Sequence, residues 1–299
     1  MEELRNALLT AGISARSDFP LRTRCTFRVG GNADLAVFPE TTDEFLFTLR
    51  LLCRRGTKFA SVGNGSNLLF ADEGYRGAVV FTGRMRELTN EPDGFYALCG
   101  TPLQKLSTAA RDRGLRGAAF ACGIPATVGG AVFMNAGAHG GEMADLVAET
   151  DCYDIARDSC RTLRGGEHCF GYRTSVFAAE PNLVVLGARL RLKAGDREAI
   201  ENEMRANMAK RRATQPLEYP SAGSAFKRPK GHSAAKLIEE CGLKGCRVGG
   251  AEVSRKHAGF IVNLGNATAS DVRRLVERVR QTVLEKTGIE LEPEIRFLS

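Results

Sequence analysis

The sequence predicts an α+β fold with more than one domain. A chain of 299 residues exceeds the size at which a single hydrophobic core normally suffices. Strand and helix signals interleave along the chain, and the composition shifts at Ala194-Gly195, where a polar segment begins. We therefore expect two or three domains or subdomains, the last of them α+β and beginning near residue 196.

The first part of the chain has a β-α-β pattern. Residues 1–20 are typical of a short amphipathic helix, and the apolar run 35–38 predicts a strand. Thr41 and Glu44 form a capping-box pattern before an amphipathic helix over 42–55. The further elements predicted before the boundary are strands over 58–62, 78–81, 95–99, 147–155 and 183–192 and a helix over 101–113.

The segment after the boundary begins with a polar helix over 196–212. Further on, 234–241 predicts a helix and 259–263 a strand. Ser270 is the predicted N-cap of a last helix, which Gly288 ends. The apolar stripe of that helix consists of Val272, Leu275, Val276, Val279 and Val283.

Composition and cysteine use indicate a cytoplasmic globular protein. Apolar residues make up 43% and charged residues 26%, and no apolar run approaches the ~20 residues of a membrane span, so we expect no membrane insertion. The first residues lack the pattern of a signal peptide. Nine cysteines without a CxxC pair indicate a reducing compartment, and the four histidines lack zinc-ligand spacing, so we expect no metal.

Positive charge is concentrated in one region. Between Arg205 and Lys256 there are twelve Lys or Arg and four Glu, a local charge of +8 against +7 for the whole chain. Base-stacking aromatics are nearly absent there, with only Tyr219 and Phe226. An anionic small molecule is therefore favoured over nucleic acid, and a merely solvated basic face is the alternative.

Two glycine-rich turns are candidate phosphate sites. The first, GNGSN over 63–67, follows a predicted strand, but Leu68 stands where a dinucleotide-binding fingerprint needs its third glycine. The chain also has no GxxxxGK[ST] and no GxSxG. The second, ACGIPATVGGAVFMNAGAHGG over 121–141, combines small residues with large apolar ones. Both turns could present backbone N–H groups to a pyrophosphate, and a tight structural corner is the alternative for the second.

Eight blocks in order carry a resemblance to a known family. They read TFRVGGNAD, VGNGSNLL, GIPATVGGAVFMNAGAHG, Tyr172-Arg173, YPSAGSAFKRP, HAGFIVN, GNATASDV and LEPEIRF. This pattern resembles the UDP-N-acetylenolpyruvoylglucosamine reductase family, also called UDP-N-acetylmuramate dehydrogenase, from about Thr26 to Phe297. The chain is similar to the shorter type, which lacks an inserted tyrosine-bearing loop.

The resemblance implies a fold and an activity. It implies an FAD-binding unit of the vanillyl-alcohol-oxidase type in two subdomains, 1–82 and 83–195, and a substrate domain over 196–299 whose last strand returns toward the FAD site. The implied enzyme uses NADPH to reduce UDP-N-acetylglucosamine enolpyruvate to UDP-N-acetylmuramate for peptidoglycan synthesis. The alternatives are another FAD-dependent sugar or alcohol oxidoreductase and a non-catalytic nucleotide-binding protein.

The resemblance also implies the cofactor residues. Ala126 stands where the family commonly has Gly and Asn32 where it commonly has Pro, and Ala126 would be strained if the turn needed positive φ. The FAD-binding residues implied are Gly63, Asn64, Gly65, Ser66, Asn67, Gly123, Ile124, Pro125, Ala126, Thr127, Gly129, Asn135, Ala136 and Gly137.

Three side chains match the family's catalytic positions. Arg173 would hold the substrate carboxylate and the developing enolate with its planar, permanently charged fork. Ser224 would donate a proton, and Glu294 would stabilise the enol, which requires a raised pKa if it is to donate a hydrogen bond. Taken alone, these would be a surface Arg, a turn Ser and a polar Glu near an edge strand. The substrate-binding residues expected are Tyr172, Lys227 and Arg228.

Overall fold

The computed structural model describes residues 1–299. The chain forms two units, each of them discontinuous in sequence. The first unit comprises Met1–Ser17, Leu35–Asn64 and Gly77–Lys210, and the second comprises Asp18–Asp34, Gly65–Arg76 and Arg211–Ser299. The domain boundaries at 82 and 195 stay a prediction.

Helices and strands interleave along the whole chain, so the predicted α+β fold class is confirmed. The helices are α1 (Glu2–Thr10), α2 (Thr42–Arg54), α3 (Leu103–Asp112), α4 (Val128–Met134), α5 (Val176–Ala179), α6 (Arg197–Thr214), α7 (Ala234–Glu240) and α8 (Ala269–Thr287). The strands are β1 (Ser14–Pro20), β2 (Asn32–Phe38), β3 (Phe59–Val62), β4 (Leu68–Phe70), β5 (Tyr75–Phe81), β6 (Leu88–Glu91), β7 (Gly94–Leu98), β8 (Leu115–Arg116), β9 (Gly137–Ala138), β10 (Gly141–Glu142), β11 (Val147–Asp154), β12 (Ser159–Arg164), β13 (Leu183–Arg191), β14 (Lys193–Ala194), β15 (Ser221–Ser224), β16 (Arg247–Val248), β17 (Ala251–Val253), β18 (Phe260–Asn263) and β19 (Arg296–Leu298).

The β-α-β pattern near the start is confirmed as β2, α2 and β3. The four-stranded sheet has the order β1, β2, β5, β3, so β5 lies between the two strands that α2 connects. Thr41 caps α2 by accepting a hydrogen bond from the Glu44 N–H at 3.1 Å. The Glu44 carboxylate accepts from the Glu40 N–H at 2.8 Å, one residue earlier than a capping box requires.

A five-stranded antiparallel sheet, in the order β12, β11, β13, β7, β6, belongs to the first unit. In β13 the side chains of Ala188 and Leu190 are buried, while Arg189 and Arg191 are more exposed. Apolar and basic residues therefore alternate at the end of β13, and the basic ones lie on its more solvated face, as is common in antiparallel sheets.

Four smaller sheets, two in each unit, complete the strand pairing. In the second unit β15, β18, β17 and β16 form a four-stranded antiparallel sheet. The last strand, β19, pairs in parallel with β4, which directly follows the GNGSN turn. The two-stranded pairs β9 with β10 and β8 with β14 belong to the first unit.

The last helix, α8, confirms the predicted stripe but corrects the cap. Thr268 is the N-cap, because its hydroxyl accepts from the Asp271 N–H at 3.0 Å and the Asp271 carboxylate accepts from the Thr268 N–H at 3.1 Å. Ser270 therefore lies inside the first turn. Gly288 ends the helix at φ +70°, a left-handed conformation that glycine adopts without strain.

The prediction for residues 1–20 was incomplete. Helix α1 ends at Thr10, and Gly12 turns the chain at φ +79° into strand β1. The sequence of β1, SARSDFP, has few β-branched or aromatic residues, so its strand conformation comes from pairing with β2 rather than from intrinsic propensity. The polar strands β6 and β12 were missed for the same reason.

None of the helices combines the length and the apolar composition that crossing a lipid bilayer requires.

Burial along α8 generates a stability prediction. Leu275 is fully buried and Leu284, on the same helix, is 47% exposed. Leu275→Ala should lower the free energy of unfolding by about 2–5 kcal/mol, because it leaves a cavity in a packed core. The matched variant Leu284→Ala should change it by less than about 0.5 kcal/mol. Urea titration of both variants checks this, and equal losses would contradict the assigned buried face.

Candidate active site

Gly63 and Asn64, which begin the first glycine-rich turn, are in direct contact with the second glycine-rich turn in the first unit. A Cβ atom on Gly63 would lie 2.2 Å from the Thr127 hydroxyl oxygen, so only glycine fits there. The Asn64 amide donates to the Pro125 carbonyl at 3.2 Å. The residues after β3 and the segment before α4 therefore pack directly against each other.

Thr127 and Gly129 fix the start of α4. The Thr127 hydroxyl accepts from the Gly130 N–H at 3.4 Å, and the Gly129 N–H donates to the Cys99 carbonyl at 2.8 Å. A Cβ on Gly129 would lie 2.7 Å from the Cys99 Cβ, so this glycine also serves close packing. Burial raises the pKa of the Cys99 thiol to about 12, which keeps it neutral beside the turn.

Ala126 is accommodated without backbone strain. Its φ is not positive, and its carbonyl accepts from the Leu103 N–H at 3.0 Å. The substitution of Ala for the family's common Gly therefore leaves this turn in an ordinary conformation. Asn32, the other departure, donates its amide to the Asp18 carboxylate at 2.8 Å.

The rest of the GNGSN turn, from Gly65 to Asn67, belongs to the second unit. Gly65 has φ +60°, and a Cβ there would lie 2.4 Å from the Arg24 carbonyl oxygen. The Asn67 amide donates to the Glu294 carbonyl at 3.0 Å, and the Arg296 N–H donates to the Asn67 carbonyl at 3.0 Å. This turn therefore fixes the backbone of the segment that carries Glu294.

The geometry of the turns fits a pyrophosphate-bearing cofactor. Gly63 and Gly129 place no side chain of their own toward the neighbouring segment at two close contacts, and the turns stay partly open to solvent. Such a backbone wall can present N–H groups to phosphate oxygens. The half-buried members of the predicted cofactor set are Gly63, Ser66, Asn67, Gly123, Ile124, Ala126, Ala136 and Gly137.

Asn135 ends α4 and differs from its neighbours in the cofactor set, because its side chain is fully buried. It has φ +43° and ψ +57°, a left-handed conformation that Asn tolerates better than most residues. Its amide donates to the Gly171 carbonyl at 3.0 Å and its side-chain oxygen accepts from the Ala144 N–H at 2.9 Å. Both ends of the amide are therefore bonded to protein backbone.

Arg173 lies in a two-residue turn that Gly171 and Thr174 close. The Gly171 N–H donates to the Thr174 carbonyl at 3.1 Å, and the Thr174 N–H donates to the Gly171 carbonyl at 3.3 Å. Arg173 has φ +56°, and its guanidinium donates to the Gly137 carbonyl at 2.8 Å. The guanidinium also lies 5.1 Å from the ring centre of the exposed Tyr172. The structure thus brings the predicted Arg173 to the predicted cofactor residue Gly137.

Ser224 and Glu294 lie on adjacent segments of the second unit. Ser224 is exposed at the end of β15, opposite Phe260 of β18. The Glu294 N–H donates to the carbonyl of Ala225 at 2.9 Å, and Glu294 is half-buried. The segment from Ala225 therefore runs antiparallel to the segment around Pro293, with a bridge between Phe226 and Pro293.

Two basic side chains follow Ser224. The Lys227 ammonium lies 2.6 Å from the Glu292 carboxylate, an ion pair that the sequence did not predict, and Arg228 is exposed. Glu292 therefore offsets part of the positive charge that the sequence placed next to Ser224.

His257 helps to fix the backbone next to Ser224, through Gly259. Burial lowers its pKa, so the ring is neutral at pH 7 and its Nδ1 accepts from the Gly259 N–H at 3.1 Å. The Gly259 carbonyl in turn accepts from the Ala225 N–H at 2.7 Å, next to Ser224.

Sequence reasoning missed several residues around the site. Ser175 donates its hydroxyl to the Phe133 carbonyl at 2.8 Å, and Gly171 accepts the Asn135 amide. The side-chain bond from Asn67 to Glu294 was missed as well. The only sequence feature that indicated these hydrogen bonds was an Asn inside a glycine-rich turn. That feature does not identify the residue to which the Asn bonds.

The cysteines and acidic residues form no second site. None of the nine cysteines takes part in a disulfide. The structure holds no group of three His, Cys, Asp or Glu side chains arranged to bind a metal ion.

Two family profiles match the chain. The one described as the FAD binding domain matches residues 33–163. The one described as UDP-N-acetylenolpyruvoylglucosamine reductase, C-terminal domain, matches residues 215–298.

Curated relatives match nearly the full length. The chain is 44% identical to the UDP-N-acetylenolpyruvoylglucosamine reductase of Caldicellulosiruptor bescii over 298 residues, which is 99% of this chain and 94% of that relative. It is 42% identical to the protein of the same name from Geobacillus kaustophilus over 281 residues, which is 94% of this chain and 92% of that relative.

Solved structures agree with these relatives. The crystal structure of UDP-N-acetylenolpyruvylglucosamine reductase from Thermus caldophilus matches with a TM-score of 0.80 and 38% identity, covering 96% of this chain and 99% of that one. Alkyldihydroxyacetonephosphate synthase matches at 16% identity and a TM-score of 0.50 over 65% of this chain and 44% of that one, a likeness of fold alone.

The contact between Gly63 and Thr127 generates a binding prediction. Gly63→Ala should weaken the binding of FAD, the cofactor that the resemblance implies, by about tenfold or more, because overpacking typically costs about 1–3 kcal/mol. Fluorescence titration of apoprotein with FAD measures this.

Two further variants control that experiment. Gly83→Ala should bind FAD normally, since its Cβ would meet no atom within 4 Å. Thr127→Ala combined with Gly63→Ala should recover part of the loss by removing the clashing hydroxyl. Unchanged FAD affinity in Gly63→Ala would contradict a role for this contact in shaping the cofactor site.

Proposed function

The chain belongs to the UDP-N-acetylenolpyruvoylglucosamine reductase family, and we propose that Arg173, Ser224 and Glu294 carry out its reaction. The protein is an FAD-dependent oxidoreductase that reduces UDP-N-acetylglucosamine enolpyruvate with NADPH to UDP-N-acetylmuramate in peptidoglycan precursor synthesis. The near full-length identity to curated reductases carries this conclusion.

We propose that main chain of the two glycine-rich turns holds FAD. When bound, FAD supplies the hydride for the terminal vinyl carbon of the substrate. The contact of Gly63 with the Thr127 side chain supports the assignment, because only glycine fits at residue 63 and the two segments therefore approach each other closely. Asn64 and Pro125 join the two segments.

Arg173 is proposed to bind the substrate carboxylate. Negative charge builds up beside that carboxylate when hydride is added, and a permanently charged, planar guanidinium can stabilise both the carboxylate and the enolate oxygen through paired hydrogen bonds. Its bond to the Gly137 carbonyl supports the role, because it ties the guanidinium to a residue of the cofactor segment.

Ser224 is proposed to donate the proton that completes the reduction at the neighbouring carbon. Its exposure at the end of β15 makes the hydroxyl accessible to a substrate. A serine hydroxyl is a weak acid, so the proton transfer depends on how the surrounding segment presents it.

Glu294 is proposed to stabilise the enol intermediate by hydrogen bonding. Two backbone contacts support this role, since the Asn67 amide and the Ala225 carbonyl both fix the Glu294 backbone. A carboxyl group on a backbone held from both sides keeps its position during the reaction.

Tyr172, Lys227 and Arg228 are proposed to contact the UDP part of the substrate. The local charge of +8 between Arg205 and Lys256 supports an anionic ligand.

We further propose that the protein works in the cytoplasm on small molecules, namely the UDP-sugar and NADPH, and not on nucleic acid. Nine cysteines, none of them in a disulfide, support a reducing compartment. The scarcity of aromatic residues in the basic region supports a small-molecule partner.

Ser224→Ala tests the proton donor. The variant should keep FAD reduction by NADPH within about twofold and slow reoxidation by the enolpyruvyl sugar by about 100-fold or more, in the range typical for a lost general acid. Stopped-flow absorbance in the flavin bands separates the two half-reactions. Ser221→Ala, on the same strand, is the matched control, and equal slowing of both half-reactions in Ser224→Ala would contradict the role.

Arg173→Lys tests the carboxylate contact. Lysine keeps the charge but cannot form paired hydrogen bonds, so kcat/KM for the enolpyruvyl sugar should fall by about tenfold or more. Reduction of FAD by NADPH should change much less. Steady-state and single-turnover kinetics measure both, and full activity in Arg173→Lys would rule out a bidentate role.

A further inference from the structure

We propose that Asn135 is a positioning residue for Arg173 and holds the turn 171–174 in the conformation that places the guanidinium. The inference rests on the proposed function of Arg173. It gives the Asn135 side chain a role different from the cofactor contact that the family resemblance implies.

The side-chain amide of Asn135 links the turn that carries Arg173 to the segment around Ala144. The side chain is fully buried, and its amide donates to the Gly171 carbonyl at 3.0 Å while its oxygen accepts from the Ala144 N–H at 2.9 Å. A buried amide with both ends bonded to backbone links the segments that it joins and is costly to remove. Asn135 has no exposed surface, and its two side-chain hydrogen bonds go to the protein's own backbone.

The turn needs support from outside. Its two internal hydrogen bonds join only Gly171 and Thr174. Arg173 holds φ +56°, and a left-handed conformation costs an ordinary residue about 1–2 kcal/mol. A short turn with a strained central residue persists only when its surroundings fix it.

Three hydrogen bonds connect the turn and its flank to the end of α4. Phe133 accepts from the Ser175 hydroxyl at 2.8 Å, and Gly137 accepts from the Arg173 guanidinium at 2.8 Å. Between these two lies the bond of the Asn135 amide to Gly171. Of the three, only the Asn135 bond uses a side chain of the α4 segment, so substitution can remove it without changing Arg173 or Ser175.

The expected consequence is specific to substrate reduction. Displacing a catalytic group by about 1 Å can cost on the order of 100-fold in rate. Loss of the Asn135 amide should therefore slow the half-reaction that uses Arg173 and leave the reduction of FAD by NADPH in place.

Asn135→Gly is the first test variant, because glycine accepts the left-handed conformation and removes both side-chain bonds. Asn135→Asp is the second, because it can still accept from Ala144 but turns an oxygen toward the Gly171 carbonyl. Both should bind FAD and be reduced by NADPH at rates within about twofold of the native protein. Reoxidation by the enolpyruvyl sugar should slow by about 10- to 100-fold.

A double-mutant cycle shows whether Asn135 acts through Arg173. In an Arg173→Ala background, adding Asn135→Gly should slow reoxidation by less than about twofold, because the group being positioned is already absent. The inference would be overturned if the two substitutions slowed reoxidation by factors that multiply. It would also be overturned if Asn135→Gly lost FAD or slowed both half-reactions equally. If Arg173→Ala alone reoxidises at the native rate, the proposed function of Arg173 fails, and the inference fails with it.

Asn263 provides a matched control. It is also buried, its amide donates to the Phe27 carbonyl at 3.0 Å, and its oxygen accepts from the Gly265 and Ala267 N–H groups at 2.8 and 3.0 Å. Asn263→Ala should lower the thermal midpoint while reoxidation stays within about twofold of native. Slowing as large as in Asn135→Gly would mean that loss of any buried amide is enough, which would overturn the inference.

Discussion

The contact between Gly63 and Thr127 is the constraint on which the glycine-rich turns of the first unit depend. The Thr127 hydroxyl occupies the space of a Gly63 Cβ and also caps α4. Glycine is required at residue 63 for space, since its φ is not positive. Because α4 begins at this contact and ends at Asn135, the same contact fixes where Asn135 meets the turn that carries Arg173. The proposed cofactor segment and the proposed catalytic Arg173 therefore depend on one packed arrangement.

Left-handed backbone conformations occur on both sides of this arrangement, at Asn135 and at Arg173. Five of the seven non-glycine residues with positive φ lie between Asn135 and Arg173. Strained conformations persist where surrounding contacts fix them, and such positions cluster at functional sites. Here the contacts are identified: the Asn135 amide, the Ser175 hydroxyl and the Arg173 guanidinium each bond a carbonyl of the opposite segment. The turn of Arg173 is thus kept in place by polar contacts rather than by its own propensity.

Local sequence patterns predicted part of the fold but few of the hydrogen bonds and ion pairs that join the site residues. The helices α2 and α8 were predictable because caps and apolar periodicity are local, although Thr268 rather than Ser270 caps α8. Strand β1 was missed because its pairing partner decides its conformation. The site residues came from matching ordered motifs, but the bond from Asn67 to Glu294 joins residues 227 positions apart, and no local pattern encodes it. The ion pair of Lys227 with Glu292 was unpredictable for the same reason.

Two hydrogen bonds explain why the glycine-rich turns carry Asn at residues 67 and 135. Asn67 donates to the carbonyl of Glu294, and Asn135 donates to the carbonyl of Gly171. Each position needs a hydrogen-bond donor that faces a carbonyl oxygen. Aspartate has nearly the same shape but, when ionised, only accepts, and it would place a charge against a carbonyl oxygen. The carbonyl groups that these two amides bond belong to the segments that carry the proposed catalytic residues Glu294 and Arg173. Residues 67 and 135 are therefore constrained by the geometry of those segments as well as by any contact with FAD.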